Sequence, residues 1–167
     1  MKSNYITTVY GPDIPGIIHS LAKLTRGYEG EWLTSKVIKT DGQFAAIMSV
    51  VIHSTKEAEL KSSLEKTFPL LTFVYSSANR TIQNVTKTIH LVVDCIDRPG
   101  LTGDLSNILA NLDICVENME CKRFAMDGIG DVFSAQLALV VPETAKSEII
   151  AAEIEALSED VQVNVLE

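Results

Sequence analysis

Apolar residues fall on helical spacing at Ile17, Leu21, Leu24 and Tyr28, and the same spacing returns 84 positions on, at Leu101, Leu105, Ile108 and Leu112. Steps of four, three and four lay one apolar stripe along one side of a helix. Alternating apolar runs, the signature of a half-buried strand, also come in pairs. Phe44, Ala46, Met48, Val50 and Ile52 match Phe133, Ala135, Leu137, Leu139 and Val141, and Leu71, Phe73 and Tyr75 match Val161, Val163 and Val165. The separation grows from 84 at the helix to 89 at the later alternating run (Phe44 to Phe133). This places five added residues in the turn at Met126 to Asp131, whose counterpart is the short Asp41-Gly42. Glycine supplies the positive φ that hairpin turns need, so both sites predict a hairpin.

A second helical stretch precedes each final strand. In the first copy, Ser54 and Glu57 have capping-box spacing, Leu60, Leu64 and Phe68 step by four, and Pro69 ends the helix. In the second copy, Pro142 opens the stretch and Ile150, Ile154 and Leu157 give the buried stripe. The order strand, helix, strand, strand, helix, strand is the split βαβ pattern of ferredoxin-like α+β folds. It predicts two tandem units, each an antiparallel four-stranded sheet with two helices on one face. The expected bounds are 1–76 and 87–167, with a polar linker at 77–86. Units this small bury a modest fraction of their surface, so their sheets are expected to join, within the chain or as a homodimer.

Charge narrows the function. With 14 basic residues against 22 acidic, the net charge is −8, and Lys36, Lys39, Lys122 and Arg123 are too scattered to form a phosphate-binding patch. Direct nucleic-acid binding is therefore not expected. Neither a secretion signal nor a membrane-length apolar run is present, which predicts a cytoplasmic protein. Cys95, Cys115 and Cys121 lack metal-site or redox spacing and are read as packing residues. His19, His53 and His90 have no nucleophile and carboxylate arranged around them as a triad would require, and no phosphate-binding or dinucleotide loop occurs. The expectation is a protein without enzyme activity, cofactor or metal.

One motif is left. Asp13-Ile14-Pro15-Gly16-Ile17 recurs as Asp97-Arg98-Pro99-Gly100-Leu101, each at the junction of first strand and first helix. A helix start presents unpaired amides that attract a carboxylate, and Gly16 or Gly100 would let a ligand approach them. Asp13 or Asp97 can cap the helix or attract an ammonium group. Together these poles suit a small zwitterion such as an amino acid. The alternative is a structural dimerisation module in which the same loops only cap helices.

Within a βαββαβ frame, this loop resembles that of the ACT domain, a regulatory module that commonly binds amino acids where domains pair. The resemblance spans nearly the whole chain as two tandem units. Gly11-Pro12-Asp13-Ile14-Pro15-Gly16-Ile17, with the later Phe44-Ala45-Ala46-Ile47-Met48, is similar to the glycine cleavage system transcriptional repressor family. That likeness implies a regulator contacting a DNA-binding activator, with glycine relieving the effect. In many ACT domains an asparagine just before the second strand contacts the ligand. The places that correspond by likeness hold Glu31 and Asp113, with Asn118 a further polar candidate on the second strand of the second unit. The implied ligand contacts are Asp13, Gly16, Ile17 and Glu31, and Asp97, Gly100, Leu101, Asp113 and Asn118.

Overall fold

A computed structural model describes residues 1–79 and 85–166, and the chain divides into two compact units, Met1–Thr81 and Ile82–Glu167. The first unit runs β1 (Lys2–Pro12), α1 (Ile17–Gly27), β2 (Glu31–Thr40), β3 (Gln43–His53), α2 (Ser54–Thr67) and β4 (Thr72–Ser77). Its antiparallel sheet has the order β2-β3-β1-β4. The second unit repeats it with β5 (Thr86–Ile96), α3 (Leu101–Asn111), β6 (Cys115–Met126), β7 (Gly130–Pro142), α4 (Ser147–Glu155) and β8 (Gln162–Leu166), in the order β6-β7-β5-β8. Of the linker expected at 77–86, Ser77 closes β4 and Thr86 opens β5, while 80–84 lie outside the described residues.

Alternation decides which sheet face is buried. Phe44, Ala46, Met48, Val50 and Ile52 all point into the first core, and Phe133, Ala135, Leu137, Leu139 and Val141 into the second. Each large side chain buried this way contributes about 2 kcal/mol of transfer free energy. Along α1 the fully buried positions are Ile17, Leu21 and Thr25, and along α3 they are Leu101, Leu105 and Leu109. Leu24 and Ile108 flank these lines and are half-buried. Leu112, expected on the stripe, is instead the cap residue beyond α3 and is exposed. Thr25 lies off the apolar stripe in type but not in place: its hydroxyl donates to the Leu21 carbonyl at 2.9 Å, so it enters the core with its donor satisfied.

Four local expectations are corrected. Ser54 is the first residue of α2 rather than its cap, and Glu57 accepts from Ser3 and Lys61, so no capping box forms. Pro142 closes β7, and α4 begins at Ser147. The five inserted residues do not make a long turn. They lengthen the hairpin, since β6 has 12 residues to β2's 10, β7 has 13 to β3's 11, and only Asp127-Gly128-Ile129 joins them. Among the cysteines, Cys95 is buried and Cys121 half-buried, but Cys115 is exposed at the start of β6. Each second strand carries a β-bulge, between Trp32 and Thr34 in β2 and between Val116 and Asn118 in β6. No helix among the described residues is long and apolar enough to cross a membrane.

Candidate functional site

Pro15 and Gly16 occupy the centre of a tight turn in which the Ile17 amide donates to the Ile14 carbonyl at 3.0 Å. With Gly16 at φ 75° and ψ 10°, this is a type II turn, which requires a positive φ at its third residue. Gly100 adopts φ 88° and ψ 0° at the same place in the second unit. A side chain at either glycine would meet nothing within 4 Å, so glycine is needed for the backbone angle and not for close packing. The Gly16 carbonyl accepts from the Ser20 amide and hydroxyl at 3.0 and 3.1 Å, and the Gly100 carbonyl from the Asp104 amide at 2.9 Å. That leaves the amides of Ile18 and His19, and of Thr102 and Gly103, in the first turn, where a helix has no carbonyl ahead of them. These amides form the positive end of the helix dipole.

Neither aspartate caps its helix. The Asp13 amide donates to the Gly42 carbonyl and the Asp97 amide to the Asp131 carbonyl, each at 2.9 Å, which ties the loop to the neighbouring hairpin. The side chains turn the same way. Asp13 Oδ1 lies 3.0 Å from Lys39 Nζ, an ion pair off hydrogen-bond alignment, and Asp97 Oδ1 accepts from Arg123 Nε at 3.0 Å. Lys39 and Arg123 are themselves 84 positions apart, so each motif aspartate is neutralised by a base at the same site of the second strand. That shared spacing was the signal that could have identified them. A neutralised aspartate does not repel an incoming carboxylate.

The remaining candidates lie elsewhere. Asp113 has φ 54° just past α3, where its amide bonds the Ala110 carbonyl and the Ile114 amide the Leu109 carbonyl. Its equivalent is Glu29, at φ 62°, and not Glu31. Glu31 opens β2, is exposed, and pairs with Arg26 at 3.4 Å. Helix α1, with 11 residues, separates this end from the Gly16 loop by about 16 Å, and the strand from Glu31 to Lys39 spans about 27 Å. Within a unit, therefore, Asp13, Gly16 and Ile17 share one end and Glu31 the other. Ile17 itself is buried in the core and offers only its backbone. In the second unit Asp97, Gly100 and Leu101 share one end, Asp113 lies at the opposite end, Leu101 is likewise buried, and Asn118 is exposed on the uncovered sheet face beside Ala138.

The two loops differ in what braces them. In the second unit, Asp160 accepts from the Ile96 amide at 2.9 Å and from Ser158, and lies 3.4 Å from Arg98. The Ser158 hydroxyl, then the Ile96 amide, hold its carboxyl below the usual range. In the first unit the corresponding positions are Ile14 and Leu70, both exposed.

Residues 4–73 match the ACT domain family. No curated protein matches the chain by sequence. An unknown protein from Galdieria sulphuraria superposes with a TM-score of 0.84 at 18% identity, covering 99% of this chain and 98% of that one. A structure described as a putative glycine cleavage system transcriptional repressor superposes with a TM-score of 0.73 at 16% identity, covering 99% of this chain and 97% of that one.

Proposed function

We propose, from the match of residues 4–73 to the ACT domain family and the repetition of that fold in the second unit, a non-enzymatic regulator that senses a small amino acid, glycine first among them, and alters its contact with a protein partner. The observation that carries this reading is the loop at Gly16, where unpaired amides and the helix dipole stand beside an aspartate already neutralised by Lys39. Such a loop accepts a carboxylate without a charge penalty. The fold shared with a structure described as a putative glycine cleavage system transcriptional repressor supports a regulatory role, and glycine as ligand and a DNA-binding activator as partner are what the resemblance of the Gly11–Ile17 segment implies. The net charge of −8 supports action through protein contact rather than on nucleic acid. Regulation then requires that the ligand bind the free and partner-bound states with different affinity. Titration calorimetry with glycine, serine and alanine tests the reading. Saturable binding weakened by Gly16→Val is expected, and absence of heat with every common amino acid sinks it.

A second reading, a dimerisation module, is favoured by one observation. The uncovered face of the first sheet exposes Tyr10, Ile38, Ile47 and Val74. Sedimentation of the wild type and Ile38→Lys distinguishes them, since a dimer built on this face would dissociate in the variant.

A further inference from the structure

At the end of the first unit away from the Gly16 loop, the core turns polar between β1, β4 and α2. Tyr5 and Thr7 are 5% and 2% exposed, yet Tyr5 Oη, Thr7 Oγ1 and the Tyr75 Oη beside them find no hydrogen-bond partner among the described residues. A buried hydroxyl left unpaired costs about 1–3 kcal/mol, so three in one place call for an explanation. Lys61 Nζ lies between the two phenol rings, 4.3 Å from the Tyr5 centroid and 4.7 Å from that of Tyr75, and contacts Glu57 Oε1 at 2.5 Å. Glu57 also accepts from Ser3. A cleft of about 300 Å³ adjoins the two tyrosines, lined by Ser3, Tyr5, Glu57, Lys61 and Tyr75, with the phenol hydroxyls buried at its floor and Thr7 beneath it.

The second unit shows that the fold does not need this polarity. By the repeat spacing, Tyr5, Thr7, Lys61 and Tyr75 correspond to Ile89, Leu91, Ala151 and Val165; Leu91 and Ala151 are buried, Ile89 packs against the core, and Val165 is exposed, so the same place is aliphatic throughout. We propose that the cleft between β1, β4 and α2 of the first unit is a binding site for a small zwitterion, whose carboxylate meets the Tyr5 and Tyr75 hydroxyls and Lys61 while its ammonium meets Glu57. The site holds one positive and one negative charge, so a net-neutral ligand leaves no buried charge uncompensated. Two of the four or so acceptor positions on Glu57 are taken by Ser3 and Lys61, which leaves room for an ammonium. Burial, then the Glu57 charge, pushes the Tyr5 phenol up to about 12, and burial also raises Tyr75, so both remain donors at neutral pH. This site is separate from the Gly16 loop and does not rest on the loop reading.

The test follows the tyrosine ultraviolet difference spectrum of the full chain during titration with glycine, alanine and serine, and with acetate and methylamine as half-ligands. A saturable change with at least one amino acid is expected, with the half-ligands at least tenfold weaker. Followed by titration calorimetry, since the double variant lacks the reporting phenols, Tyr5→Phe/Tyr75→Phe and, separately, Lys61→Met should each weaken binding at least tenfold, while Tyr10→Phe, on the uncovered sheet face, leaves it intact. Binding that survives both pocket variants but is lost in Gly16→Val overturns the proposal and leaves the loop reading standing. Loss in the pocket variants alone supports the proposal and removes the loop. No tyrosine response to any probe means that the cleft holds only water, which overturns it.

Discussion

The two units share element order, strand order and a neutralised motif aspartate, yet they spend their side chains differently at both ends. The second braces its loop with Arg98 and Asp160 and fills the far end with Ile89, Leu91 and Ala151. The first leaves Ile14 and Leu70 exposed at the loop and sets Tyr5, Thr7 and Tyr75 in the far end. Positions alike in both units serve the architecture they share. Positions where one unit keeps a less stable solution mark where that unit does something else. By this measure the first unit is where binding is expected and the second is the firmer scaffold.

The comparison can be broken most forcefully in the cores. Leu21→Ala and Leu105→Ala each remove a fully buried side chain and should cost about 2–5 kcal/mol. The chain's one tryptophan, Trp32, packs on the first core, so urea unfolding followed by its fluorescence should shift for Leu21→Ala and hardly at all for Leu105→Ala. Equal shifts would mean that the units unfold as one. Gly16→Ala and Gly100→Ala come next, at about 1–2 kcal/mol each, because alanine at a positive φ crowds its own carbonyl. The two losses in melting temperature should agree, since both positions are open, and a marked inequality would show that the turns are not equivalent.

Much of this architecture was legible in advance, because burial imposes a period that survives divergence. The stripes from Ile17 and Leu101 and the alternation from Phe44 and Phe133 locate helices and strands from apolarity alone. What was illegible depends on contacts distant in sequence. Thr25 is buried because its hydroxyl finds the Leu21 carbonyl, and Glu57 abandons Ser54 because Ser3 and Lys61 reach it first. Asp113 looked equivalent to Glu31 because both are acidic residues near the second strand, whereas the left-handed backbone aligns it with Glu29. The site was half legible. The motif marked the loop, but its partners Lys39 and Arg123 lie on another strand.

Those partners supply a smaller test. Lys39→Met and Arg123→Met should each cost less than about 1 kcal/mol, as exposed ion pairs do, and the loss should shrink in high salt. Arg123 should cost more, since its guanidinium also lies 5.0 Å from the Phe133 ring centroid. The smallest effect is with acid. Lys61, then Ser3, hold Glu57 below its ordinary 4.5, and Ser158, then the Ile96 amide, hold Asp160 below 3.8. Their contribution is present above those unfolded values and lost as pH falls through the lower folded ones. The urea midpoint should be flat from pH 7 to pH 5 and decline below about pH 4. A decline already complete at pH 5 would exclude these two carboxylates as its cause.

The bulge in each second strand has a consequence at the far end of that strand. Trp32 and Lys39 are seven residues apart, as are Val116 and Arg123, and an odd interval in a regular strand sends two side chains to opposite faces. One extra residue, Leu33 or Glu117, resets the parity, so Trp32 pairs across from Val50 and Lys39 across from Phe44 on the same side. The bulge therefore aims a positive charge more than five residues downstream. Deleting Leu33 would force the strand to choose between seating its indole in the core and presenting its ammonium to Asp13.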